Sequence, residues 1–147
     1  MRKAIFIASI LLSSVVFSGQ EIQSSTFIEK RVDAFEAIES DLKSLKRQLK
    51  NQPVSTGKIK LLTKSIKQNS KILPEAFAPG THKGDTRARE RIWSNQKDFV
   101  ARLNTLQNHA VALDDAAQTE NSEDILNALK ALPGDCRSCH MRYRELW

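Results

Sequence analysis

Apolar side chains recur along this chain at spacings of three and four. Ile28, Val32, Phe35, Ile38, Leu42, Leu45 and Leu49 form a first stripe, which places them on one face of a helix. Lys43, Lys46, Arg47 and Lys50 fall on the other side and read as a solvated face. Pro53 and Gly57 break the pattern. A weaker stripe follows, of Ile59, Leu62, Ile66, Leu73 and Phe77, with Asn69 and Ser70 where an apolar turn belongs and Pro74 ending or kinking it. Residues 78–84 are loop by composition. The third stripe is the cleanest: Ile92, Gln96, Phe99, Leu103, Leu106, Ala110, Leu113 and Ala117. It predicts a long helix capped by Asp85 or Thr86. A last pattern starts at Asn121 or Ser122, carries Ile125, Leu126, Leu129 and Leu132, and is interrupted by Pro133-Gly134. Nothing reads as a pair of strands. Long amphipathic helices with short connections predict an all-α, antiparallel up-down four-helix bundle.

The first residues lie outside that pattern. Arg2 and Lys3 precede an apolar run from Ala4 to Phe17, with small residues at Ser18-Gly19. This is the layout of a cleaved signal peptide, residues 1–18, and it predicts export to the periplasm. No cysteine follows the run, so a lipoprotein anchor is not expected. Removing 18 of 147 residues leaves 129, residues 19–147, as one domain with 21 basic and 17 acidic side chains, a net charge of +4. That charge is too modest, and too scattered, for nucleic-acid binding. The mature chain has no membrane-spanning segment. With 5 Gly and 4 Pro, the chain has little turn material for an all-β fold. Enzymatic turnover is not expected: no paired acid–base constellation and no phosphate loop stands out.

One motif carries chemistry. Cys136-Arg137-Ser138-Cys139-His140 is C-x-x-C-H, the c-type haem attachment signature. Positions i, i+3 and i+4 share a helix face. Two thiols can therefore meet the two vinyl groups along one porphyrin edge while the adjacent imidazole becomes the axial ligand of iron. Three rivals are weaker. A thioredoxin-like C-x-x-C needs a strand-to-helix setting. A zinc site would need His82 or His109 as a fourth ligand at an unusual spacing. A disulfide between i and i+3 of a helix has poor geometry. Export and the use of both cysteines in the motif favour one covalent haem c.

Composition constrains the sixth ligand. After signal removal the only methionine is Met141, the immediate neighbour of His140. It cannot reach the opposite face of the same haem. His109 lies beside the third stripe and His82 in a loop, both read as boundary or surface residues. The default is five-coordinate iron with an apolar distal face; a low-spin carrier with a histidine or lysine sixth ligand is the alternative.

The chain resembles the class II c-type cytochromes, above all the cytochrome c prime family, from about Phe27 to Arg144. Three segments carry the likeness: Cys136-Arg137-Ser138-Cys139-His140-Met141-Arg142-Tyr143-Arg144; Leu73 to Thr81 with Ile92-Trp93 and Phe99; and Arg31-Val32-Asp33-Ala34-Phe35. The resemblance implies that Cys136 and Cys139 form the thioether links and His140 is the proximal ligand. It further implies that Phe35 covers the distal face, Arg31 lies near the haem propionates, and Arg144 stands beside the proximal histidine. Phe35 replaces the Met or Leu of family members, and Pro133-Gly134-Asp135 departs from the usual helical lead-in. Two functions follow. A gas-binding protein would take NO, and CO, on five-coordinate iron. An electron carrier would meet an acidic redox partner through residues such as Lys83, Arg87, Arg89 and Arg91. A helical interaction protein without haem is a third, weaker reading. The resemblance also allows a homodimer through the first two helices.

Overall fold

The computed structural model describes residues 13–50 and 55–145, with side chains from Ser24 onward. Six helices follow one another: α1 (Ser13–Lys50), α2 (Thr56–Ala76), α3 (Arg91–Ser94), α4 (Gln96–Gln118), α5 (Ser122–Leu129) and α6 (Leu132–Tyr143). Among the described residues there is no strand, and a single isolated antiparallel bridge joins Ala88 and Arg144. None of the described helices is long and apolar enough to cross a membrane.

The chain is a four-helix bundle whose arms are α1, α2, α4 and the α5–α6 pair. Side-chain contacts fix its antiparallel sense. Midway along α1, Arg31 donates to the Ala76 carbonyl at the end of α2, and Lys30 pairs with Glu75. Lys60, near the start of α2, pairs with Glu120 just beyond α4. Tyr143, the last residue of α6, donates through its hydroxyl to Asp98, early in α4. The apolar stripes meet in the middle. Ala34, Ile38, Leu45, Ile59, Ile66, Leu73, Leu103, Ala110, Leu113, Ile125 and Leu132 form one continuous core.

The weak second stripe folds because its polar residues are satisfied locally. The buried Ser70 hydroxyl donates to the Lys67 carbonyl one turn back, which removes the cost of burying it. The buried Thr63 hydroxyl reaches Asp114 of α4 at 3.0 Å. Lys67 closes on the same carboxylate. Pro74 sits inside the last turn of α2, which ends two residues later.

Four expectations need correction. Asp85 and Thr86 do not cap the third long helix. They belong to a loop, and α4 starts after Asn95, preceded by the short α3. Thr86 instead accepts hydrogen bonds from Arg31 and from the Ala88 amide. Pro133-Gly134 does not break the last arm. The break falls at Lys130-Ala131, and both residues lie in the first turn of α6, where proline forfeits no intrahelical bond. Val32 is 44 % exposed despite its place in the stripe, because the surface it faces is a cavity. Leu126 is exposed to the same degree, its side of α5 being turned outward. The signal segment lies largely outside the described residues. The expected cleavage point after Ser18 falls within the first turns of α1.

Candidate haem site

A cavity of about 770 Å³ lies between α1 and α6, within the usual range of ligand pockets, roughly 300–1,000 Å³. α6 supplies Cys136, Cys139, His140 and Tyr143 to one wall. α1 supplies Arg31, Val32, Phe35, Ile38, Glu39 and Leu42 to the facing wall. Phe77, Phe99, Leu103 and Leu106 close the floor. The cavity is mostly apolar, as burial of a macrocycle requires.

The attachment motif is helical, so its three reactive side chains share the cavity face. Both cysteines are unpaired and half-buried. Burial raises the Cys136 thiol, with Asp135 adding to the rise. Burial pushes the Cys139 thiol up to about 11, against an opposing pull from Arg102. The His140 imidazole is lowered, first by burial and then by the nearby Arg144 guanidinium. The lowering favours the neutral imidazole, the form that ligates a metal. Two free thiols, a neutral imidazole and a large apolar cavity on one helix face fit a covalently attached haem. Among the described residues no group of three or more His, Cys, Asp and Glu side chains gathers as a metal site.

Several residues hold α6 in place. The Tyr143 hydroxyl donates to Asp98 and accepts from Asn95. Arg102 donates to Asp98 at 2.9 Å and reaches Ser138, inside the motif, at 3.3 Å. The hydrogen bonds from Arg102 and then Tyr143 lower the Asp98 carboxyl to about 2. At the other end of α6, His109 Nδ1 and Asp135 Oδ2 are 2.6 Å apart. That pairing places His109 against Asp135, and His82 lies against Trp93 with the two rings tilted; neither histidine lines the cavity.

The loop after α2 ties the two cavity walls together. Arg31 is 2 % exposed. Its guanidinium donates to the Thr81 carbonyl and hydroxyl, the Ala76 carbonyl and Thr86 Oγ1, and lies over the Phe77 and Trp93 rings. Further along, the Arg89 amide donates to the Tyr143 carbonyl, and the Glu145 amide to the Arg87 carbonyl. One loop thus runs from α1 to the end of α6. Gly84 allows close approach: its φ is +120°, and a Cβ there would meet Ile28 Cδ1 at 2.9 Å.

The structure brings together every site residue expected from the sequence. Cys136, Cys139, His140, Arg31, Phe35 and Arg144 all border the one cavity. Sequence reasoning missed Asp98, Arg102 and Thr86. The i, i+4 spacing of Asp98 and Arg102 was the available signal for the first two. Thr86 carries none, since only the folded loop brings it to Arg31.

The sequence model of the family described as Cytochrome C' matches residues 26–144. Cytochrome c' of Rhodospirillum rubrum is 25 % identical over 145 residues, 98 % of this chain and 99 % of that protein. The solved structure of cytochrome c prime from Shewanella frigidimarina shares 29 % identity with a TM-score of 0.76, covering 83 % of this chain and 96 % of its own. The nitric oxide complex of a mutant cytochrome c prime from Alcaligenes xylosoxidans shares 27 % identity with a TM-score of 0.75, covering 83 % and 96 %. The match of the family model, the bundle and the C-x-x-C-H helix facing its cavity agree: this chain belongs to the cytochrome c' family and is a monohaem c-type cytochrome with covalent haem c.

Proposed function

We propose that this cytochrome is exported to the periplasm and binds diatomic gases, NO and CO, at a haem whose distal position carries no protein ligand. Cys136 and Cys139 would hold the group through thioether links, and His140 would be its proximal ligand. When bound, the haem supplies an iron that takes a gas molecule and exchanges single electrons.

One observation carries this reading. Among the described residues, the cavity wall opposite His140 holds no methionine, histidine, cysteine or lysine. Glu39, the acid on that wall nearest in sequence to Phe35 after Glu36, is engaged by Lys43. Phe35 is the side chain that faces His140, so the position directly opposite the imidazole is apolar and sterically guarded, with Glu36 and Glu39 elsewhere on the same wall. The chain's residues act by holding and excluding. Burial favours the neutral form of His140. Arg144, whose amide donates to the His140 carbonyl, keeps its charge close to the imidazole. Arg31 clamps the loop that borders the cavity. The nitric oxide complex of the Alcaligenes relative supports the gas assignment by family likeness.

The test is ligand binding by the purified holoprotein. Ferrous protein that binds CO and NO with one gas per haem supports the proposal. Ferrous protein indifferent to both gases overturns it.

A further inference from the structure

We propose that the outer face of α6 is the docking surface for an acidic electron-transfer protein that reduces the haem. The inference rests on haem attachment at Cys136 and Cys139. One electron leaves the partner and converts ferric to ferrous haem; no bond or proton changes hands.

α6 turns its cysteines and His140 to the cavity. Its opposite face is therefore protein surface separated from the attached group by one helix, roughly 10 Å across. That face presents Arg137, Met141 and Arg142, all exposed. Met141 is 65 % exposed, an apolar centre between two cations. Of the acids around α6, Asp98 pairs with Arg102 and feels Arg142 as well, Glu145 pairs with Arg89, and Asp135 hydrogen-bonds His109. Among the described residues neither Arg137 nor Arg142 forms an ion pair. Glu36 and Asp85 lie on the α1 and loop side of the cavity instead. An apolar centre with an unpaired cationic rim beside the redox group is the complement of an acidic carrier. Such encounters are small, steered by charge and sensitive to salt.

The test is stopped-flow reduction of the oxidised holoprotein by reduced flavodoxin, an acidic flavoprotein, with hexaammineruthenium(II) as a small cationic control. The double substitution Arg137→Glu with Arg142→Glu should slow reduction by flavodoxin about threefold to tenfold at low ionic strength. It should leave the absorption spectrum unchanged and not slow the ruthenium reaction. Lys58→Glu with Lys64→Glu, exposed on α2, changes net charge equally and should have a much smaller effect. On the unaltered protein, the flavodoxin rate should fall as salt is added. Equal slowing by the two double variants, no slowing by the arginine pair, or a salt-independent rate in the unaltered protein would each overturn the proposal. Loss of the Soret band in the unaltered protein would instead remove the haem reading beneath it.

Discussion

The Phe35 ring meets the His140 imidazole across the cavity, with centroids 6.4 Å apart and planes inclined at 71°. Phe77 stands edge-on behind Phe35 at 6.3 Å and Phe99 behind Phe77 at 4.8 Å. The phenyl ring is thus buttressed from the core, and a gas molecule on that side must displace it or squeeze past. Crowding of this kind typically costs about 1–3 kcal/mol, which corresponds to roughly fivefold to a hundredfold in rate. Phe35→Ala should therefore bind CO at least about fivefold faster than the unaltered protein in flash photolysis. An unchanged rate would remove Phe35 as the gate.

Arg31 is the residue on which the cavity loop hangs. Arg31→Met would keep much of its stacking on Phe77 and Trp93 but strand the Thr81 and Ala76 carbonyls. Unpaired buried groups of this kind cost about 1–3 kcal/mol each. We expect a loss of about 2–4 kcal/mol in urea unfolding of the holoprotein, with the haem still covalently attached.

Acid should weaken the anchorage of α6. Asp98 has a folded pKa of about 2, depressed by its hydrogen bonds from Arg102 and Tyr143. The ordinary value for an unfolded aspartate is about 3.9. A depressed carboxylate stabilises the fold above its unfolded pKa and loses that contribution as pH falls through its folded one. Urea midpoints should thus drop between about pH 4 and pH 2. Asp98→Asn should flatten that part of the profile while lowering stability at neutral pH.

The proposed thioether links at the two thiols are separable. Cys136→Ala or Cys139→Ala should leave a haem held by one sulfur, with a red-shifted ferrous α-band. The double substitution should leave haem that acidified acetone extracts completely. Denaturing mass spectrometry distinguishes these outcomes directly.

The attachment chemistry and the helical arms were legible because they are local. Cys136, Cys139 and His140 announce their shared face by spacing alone, and the stripe from Phe99 to Ala117 announces α4. What escaped the sequence depends on tertiary context. Val32 looks like core in its stripe, yet lines a cavity and is partly exposed. Thr86 looks like a helix cap, yet its hydroxyl serves Arg31 from the loop. Ser70 looks like a flaw in the second helix, yet bonds its own preceding turn. Pro133 looks like a breaker, yet occupies the first turn of α6, where it is tolerated.

The central claim is an iron with one protein ligand, His140, and an open side facing Phe35. Visible absorption of the purified holoprotein tests it most directly, in the oxidised, reduced, and reduced CO-treated states. The account predicts a high-spin ferrous spectrum that converts to a distinct form on adding CO. A low-spin ferrous spectrum unchanged by CO would show a second protein ligand on the iron and contradict it.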